Sequence, residues 1–370
     1  MKEWVLVKLL VVSLLHPLPS NPARGVFVDD HIELLRSMGH DVKVVNPLPR
    51  MPRYAEARRS TMKGVAKAPR AWLHRDHEVL VPRFWALPEH PYPRLTQTSV
   101  GRRAGWVEQR LGDWRPDAIV CHTLWPVAAL AQRLATRWNV PWIGVVHGHD
   151  VDVALNEKHL APHVVRMMNT CHTLVCVSKR LEATVLQRTE GAVRTCTIPC
   201  HTEVDNEWRR PVKPLVKNWQ KEPIDILFPA DPRRPEKRHL LALETGQELE
   251  QRGWMVGITT LRHQPRNIVY DRMLVADVTL ITSLREAGPL VARESLLCGT
   301  PVVSVAVGEV ETYLPDAWVC EPTPLALANG IEDALRYGWQ NETTPEAALA
   351  FAHPDTVKQA WHELLANLGG

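Results

Sequence analysis

The sequence has no apolar run approaching the ~18–20 residues that span a bilayer as a helix, so no segment reads as a membrane span. It has no G-x-G-x-x-G, which counts against a dinucleotide fingerprint, and no Walker lysine loop. Its seven cysteines include no C-x-x-C pair, and most sit in apolar strand-like runs. Buried free thiols in a reducing cytoplasm are expected rather than a disulfide framework. Cys196 and Cys200 with His201 fit no standard zinc spacing, and no metal is expected. There is no tandem repeat and no low-complexity tract, and a formal charge of only +3 names no partner.

What is present suits a globular chain long enough for two domains: 370 residues, 45% hydrophobic and 23% charged. The opening "MKEWVLVKLLVVSLLHPLPS" has the outline of a signal peptide. Lys8 interrupts its apolar run, however, and no small-x-small cleavage site follows. A buried first strand over roughly Lys8 to His16 is the expectation.

From there, apolar strand-like runs alternate with amphipathic segments. Val28, Ile32, Leu35 and Met38 mark one helical face, with Gly39 as its stop. "DVKVVN", "DAIVCH", "PWIGVVHG", "TLVCVS" and "RTCTIP" read as further strands, with helices near 126–137 and 179–187. The polar, Pro- and Lys-rich stretch 203–223 interrupts the pattern. It resumes with "IDILFPA", a helix near 236–252, "WMVGITTL", "DVTLITS" and "PVVSVAV", then helices near 323–336 and 355–367. Strand–helix–strand alternation predicts parallel sheets covered by helices on both faces. The expected class is α/β: two doubly wound Rossmann-like domains facing a central cleft. The expected division is 1–205 and 224–350, joined by a linker at 206–223, with 351–370 a C-terminal helix packing back on the N-terminal domain.

The stretch "SLREAGPLVARESLLCGTPVVS" (Ser283–Ser304) carries two glutamates eight positions apart, Glu286 and Glu294. Pro289 suits a first helical position with Gly288 as cap, giving a helix over roughly Pro289–Leu297. Its N-terminus would favour an anion such as a diphosphate, with Glu286 just ahead of it and Glu294 inside the helix.

"EAGPLVARE" resembles the Glu-x7-Glu motif of retaining glycosyltransferases of family 4, which have the GT-B fold. "SLLCGTPVVSVAVGEVETYL", "NPARGVFVDDHIELLRSMGHDVKVV", "VVHGHDVD" and "LFPADPRRPEKRHLLALE" are similar to other segments of that family, so the likeness spans nearly the whole chain. The Gly-Pro form is closest to a subset frequent in polysaccharide biosynthesis. The resemblance implies that Glu286 contacts the donor sugar near its anomeric carbon and that Glu294 holds the ribose hydroxyls. It implies that His147 faces the sugar and that Lys237 and an arginine, Arg234 by preference over Arg233, neutralise the diphosphate. Gly288 and Leu290 would line the donor site, and Gly25 would allow close backbone approach. The expected reaction is retaining transfer from a UDP- or GDP-sugar to a hydroxyl, on a glycan or lipid-linked glycan, with no cofactor and no metal.

Three positions depart from the family pattern. Ala287 replaces the motif's usual first glycine, Pro232 stands where many members have the clamp arginine, and "IPCHTEVD" replaces the usual "I-P-N-G-V-D". Between Arg50 and Arg75, eight Lys/Arg face one acid, Glu56, with Tyr54, Met62 and Trp72 among them. Arg58, Arg59, Lys63 and Lys67 are thus expected to meet an acidic acceptor or the anionic inner face of a membrane, the protein being cytoplasmic. Nucleic acid would fit the charge, yet no recognition motif appears. Two alternatives stand beside transfer: a nucleotide-sugar epimerase or hydrolase of the same fold, and a non-catalytic sugar-nucleotide-binding partner subunit.

Overall fold

The computed structural model describes residues 6–56, 62–87, 89, 91–212, 221–262 and 264–369. Two compact units result: Met1–Pro199 with Val357–Gly370, and Cys200–Thr356.

The first unit holds strands β1 (Lys8–Ser13), β2 (Asp41–Val45), β3 (Leu48–Pro49), β4 (Ala71–His74), β5 (His77–Leu80), β6 (Arg83–Phe84), β7 (Ala118–His122), β8 (Trp142–Val146), β9 (Thr173–Cys176) and β10 (Thr195–Thr197). Eight of them form one sheet in the order β10-β9-β8-β7-β1-β2-β5-β4, and β3 pairs with β6 separately. All pairs in the large sheet are parallel except β4 with β5. β1 lies at the centre, and Leu9 to Val12 are fully buried. That explains why its sequence is continuously apolar rather than alternating. The strand stops at Ser13, short of His16. Ser13 Oγ donates to Leu15 O (2.7 Å) and accepts from Leu15 N (3.1 Å), which turns the chain out of the ladder.

The region after β2 holds structure that no periodicity announces. β4 and β5 form a hairpin whose turn residues are Arg75 and Asp76, and Arg75 takes φ 52°. No glycine marks this left-handed position. Nearby, Leu18, Leu48, Val65, Ala68 and Val81 make a small core of their own, with Met62 and Trp72 packed against it. These two side chains are therefore committed inward and do not serve a docking patch. Tyr54, Lys63 and Lys67 are exposed. Arg58 and Arg59 lie outside the described residues.

The second unit holds β11 (Ile224–Phe228), β12 (Val256–Thr260), β13 (Val278–Ile281), β14 (Val302–Val305) and β15 (Val319–Cys320), all parallel, in the order β12-β11-β13-β14-β15. It begins before the polar stretch expected as a linker. Thr202 N donates to Ala352 O (2.9 Å), Val204 sits in the core, and Arg210 N donates to Leu297 O (3.2 Å). Residues 206–212 thus belong to the second unit, and 213–220 lie outside the described residues. The helix expected over 236–252 is split. A short 3₁₀ turn, Pro235–Lys237, precedes the helix His239–Gln251, and Arg238 at φ 50° separates them.

The C-terminal helix Pro354–Ala366 buries Val357, Trp361 and Leu365 at i, i+4 and i+8. The Trp361 ring lies 4.3 Å from the ring of His31, on the helix Val26–Ser37. Trp361 is 2% exposed. Trp361→Ala is expected to destabilise the first unit by about 3–5 kcal/mol. Urea denaturation followed by fluorescence would read it, and an unchanged midpoint would show that the helix contributes no packing there.

Candidate active site

In an open parallel sheet, side chains from different strands converge where neighbouring crossovers leave in opposite directions. β11 sits between β12 and β13, so the loops after β11 and β13 meet at such a point. Their backbones are laced together. Arg238 Nη2 donates to Ser283 O (3.2 Å), Thr282 Oγ1 to Lys237 O (2.7 Å), and Leu284 N to Glu236 O (2.8 Å). This lacing holds the 3₁₀ turn against the end of β13. It also explains the left-handed Arg238, whose side chain is needed on the loop after β13 rather than along the helix.

The result is an ion pair between Lys237 Nζ and Glu286 Oε1, the same oxygen accepting from Ser283 Oγ at 2.7 Å. Both side chains keep a little access, 15% for Lys237 and 17% for Glu286. The helix behind Glu286 runs Leu290–Leu297, with Pro289 at the cap position in extended conformation. It starts one residue later than the sequence suggests, so Gly288 lies in the loop before the cap.

Gly308, in the loop after β14, was not among the expected residues. At φ 58°, a Cβ there would lie 2.8 Å from Glu286 Cβ and 2.8 Å from Pro289 Cδ. Only glycine lets this loop press against Glu286. A glycine three residues past a strand was the available signal.

Glu294 lies on the helix and is buried, with Arg266 Nη2 2.5 Å from its Oε1. Arg266 Nε donates to the Tyr270 hydroxyl (2.6 Å), which donates to Glu203 O (3.1 Å). The guanidinium fixes the direction in which the carboxylate points. Nothing in the sequence singles out Arg266, which sits on a helix, Arg266–Val275, that periodicity did not reveal. Arg293, inside the motif, donates to Cys200 O (3.0 Å) and stacks on Phe351. Burial, with Glu294 nearby, pushes the Cys298 thiol up to about 12, so it stays a neutral packing group.

The arginines are placed differently from one another. Arg234 Nη2 pairs with Glu236 (2.7 Å), and Arg233 Nη2 with Asp231 (2.7 Å). The hydrogen bond from Arg233 is the largest reason the Asp231 carboxyl stays well below the usual carboxylate range. Each arginine thus pairs with an acid two residues away in its own loop. A cavity of about 500 Å³ in the same unit, lined by residues including Tyr313, Asp316 and Asn341, contains none of these side chains.

In the first unit, His147 follows β8 and continues a line of imidazoles. His147 Nε2 lies 3.2 Å from His122 Nδ1, and His122 Nε2 lies 2.8 Å from His31 Nδ1. Phe27 packs on the His147 ring at 4.6 Å. Burial lowers His147 to about 4 and carries His122 well below the ordinary imidazole value. Both rings are therefore neutral at physiological pH, each able to donate once and accept once. Asp150 is a structural anchor. Its carboxylate accepts from Leu124 N (2.8 Å) and His147 N (3.1 Å), and burial raises its pKa. Gly25 heads the helix Val26–Ser37 at φ 64°, where a Cβ would strike His16 N at 2.7 Å.

Comparison with known proteins follows these two units. Residues 25–201 match the family model of the glycosyl transferase 4-like domain, and residues 245–348 that of the glycosyl transferases group 1. A Bacillus subtilis (strain 168) protein described as a teichuronic acid biosynthesis glycosyltransferase, TuaC, is 23% identical over 92% of each chain. Among solved structures, sucrose-phosphate synthase from Thermosynechococcus elongatus aligns with TM-score 0.67 and 18% identity over 98% of this chain and 99% of that one. The Anabaena HepE protein in complex with UDP-glucose aligns with TM-score 0.63 and 15% identity over 98% and 100%.

The Gly308 contact can be isolated experimentally. Gly253 also has a positive φ, 88°, but nothing lies within 4 Å of a Cβ there. Gly308→Ala should cost about 1–3 kcal/mol more than Gly253→Ala, the excess measuring the clash. Equal losses in chemical denaturation would mean that the loop does not press on Glu286.

Proposed function

Since the chain is a GT4-type glycosyltransferase of the GT-B fold, moving a sugar from a nucleotide-diphosphate sugar to an acceptor, we propose that its second unit binds the donor through Lys237, Glu286 and Glu294. The observation that carries this reading is the Lys237–Glu286 pair at the head of the Leu290–Leu297 helix.

Cleaving a sugar–phosphate bond leaves negative charge on the diphosphate and positive charge on the ring. Lys237 is the cation for the first, supplemented by the helix N-terminus near Gly288 and Leu290. Arg234 joins it on exchanging Glu236 for phosphate. Glu286 is the carboxylate beside the ring, and Glu294 holds the ribose hydroxyls with Arg266 behind it. With Glu294 on the ribose, a single carboxylate is left beside the sugar ring, too few for double displacement. The configuration is therefore retained by a front-face route, in which the leaving phosphate oxygen takes the acceptor proton. No step of this route uses a metal. His147 and Gly25 serve transfer from the acceptor-side unit, His147 as a neutral hydrogen-bonding group.

A UDP-sugar is the first donor to test, with a GDP-sugar second, because the HepE complex holds UDP-glucose. A glycan or lipid-linked glycan is the acceptor, in keeping with TuaC. The protein works in the cytoplasm. The exposed Lys63 and Lys67, with Arg58 and Arg59, would bring it to an anionic surface by charge alone.

UDP at 100 times its dissociation constant should raise the melting temperature by the equivalent of about 2.7 kcal/mol. Lys237→Ala and Glu294→Ala should abolish the rise. Glu286→Gln and His147→Ala should keep it while lowering kcat by about 10²-fold or more. If no nucleoside diphosphate shifts the melting temperature at millimolar concentration, the donor site is misassigned. Turnover of the nucleotide sugar at full rate without acceptor would instead make the protein a hydrolase.

Flotation with anionic liposomes tests the basic patch. Retention that is lost in the Lys63→Glu, Lys67→Glu double variant and at high salt is expected. Equal flotation of the variant would remove these lysines from any membrane role.

A further inference from the structure

Apart from the residues assigned to transfer, the first unit gathers three histidines around one carboxylate. His16 lies in the loop after β1 and Asp29 in the first turn of the helix Val26–Ser37. His74 ends β4 and His77 begins β5, directly opposite one another on either side of the Arg75-Asp76 turn. The hairpin thus presents two imidazoles from one end. His74 Nε2 is 3.0 Å from Asp29 Oδ1, and His16 Nε2 is 3.8 Å from the same oxygen. One ligand atom from each of His16, Asp29 and His77 lies within 4.8 Å of the other two.

The polar contacts of this cluster are incomplete. His16 Nδ1 faces Pro17 O at 3.0 Å, and a carbonyl can only accept, so Nδ1 carries the proton. Nε2 of the neutral ring then directs its lone pair at the Asp29 carboxylate. Protonating Nε2 would not repair this, since 3.8 Å exceeds hydrogen-bond reach and full burial disfavours the charged ring. Among the described residues, His16 Nε2 has no hydrogen-bond partner and neither nitrogen of His77 has one within normal reach, Asp76 Oδ1 standing 3.6 Å from its Nδ1. Both histidines are more than nine-tenths buried, at 0% and 6% exposure. Buried polar atoms are normally satisfied, so orphaned imidazole nitrogens aimed at a carboxylate call for a cation between them.

We propose that His16, Asp29 and His77, with His74 as fourth donor, form a binding site for a divalent transition metal of the Zn²⁺ class. Imidazole with one carboxylate suits that class, and for His16, Asp29 and His77, whose ligand atoms lie within 4.8 Å of one another, closing to about 2.0–2.1 Å needs a shift of under about an ångström each. The surroundings are arranged for it. Arg75 Nη2 holds the other Asp29 oxygen at 3.0 Å, and Arg24 fixes the loop by donating to the carbonyls of Leu14 (2.6 Å) and His16 (3.1 Å). Glu33 and Asp76 add negative charge 3.9 and 3.6 Å from His77 Nδ1, partly answered by Arg36. The ion would pin the β4–β5 hairpin to the helix and to the loop after β1. It is structural and takes no part in sugar transfer.

The test is zinc content of the full chain after saturation with Zn²⁺ and gel filtration. About one equivalent should stay with the wild type and with His353→Gln, and under about a tenth with His16→Gln and His77→Gln. No retained zinc in the wild type, or undiminished zinc in His77→Gln, overturns the site. Should the variants fail to fold, the wild-type Co²⁺ spectrum decides. Intense tetrahedral bands displaced by Zn²⁺ support the site, and a weak six-coordinate spectrum or none overturns it.

Discussion

The second unit depends on two loops held together by charge. Lys237 and Glu286 are far apart in sequence, and their strands, β11 and β13, become neighbours only because the intervening chain folds away as helix, strand and helix. Parallel neighbours cannot be joined by a tight turn. The pair is therefore a readout of the finished sheet. Each partner is mostly shielded from water, so leaving either charge without its counterpart, or a substitute for that counterpart, would be costly. Arg238 in its left-handed conformation, the tight Gly308 loop and the extended Pro289 all position this contact.

The first unit uses the same geometry with opposite electrostatics. β1 is flanked by β2 and β7, and the loops leaving β1 and β7 converge as those of β11 and β13 do. What gathers along that edge is a line of buried rings, His31, His122 and His147, of which burial keeps His122 and His147 neutral. A line of neutral imidazoles fixes tautomers and directions without placing net charge, whereas the second unit places charge and then balances it locally.

Much of this was legible in the sequence because it rests on periodicity and composition. Central parallel strands are apolar on both faces, so β1, β8, β13 and β14 announce themselves. Glu286, Glu294 and Lys237 could be named from their motif and from its distance to a strand end. The failures have specific causes. The β4–β5 hairpin was hidden because Arg75, not glycine, takes the left-handed turn position. The break at Arg238 was hidden because "EKRHLL" holds neither glycine nor proline, and the break comes from hydrogen bonds to the loop after β13, 45 residues on. Arg266 could not be found at all, since its role exists only through Glu294. Arg233 and Arg234 each pair with an acid two residues away, so local pairing does not rank one above the other. The boundary near 205 followed polarity, whereas the fold follows the few apolar residues, Val204 above all, that enter a core.

The C-terminal helix has a consequence for the order in which the protein is made. The first unit is discontinuous in the chain, since Val357–Gly370 belongs with Met1–Pro199. Domains usually fold from the N-terminus as they leave the ribosome. Here the whole sheet of the second unit emerges before Trp361 does. Until then, His31 and its neighbours on the helix Val26–Ser37 lack the ring that covers them. The earlier-born unit is thus the later one to be completed, and its apolar face is exposed throughout synthesis of the other.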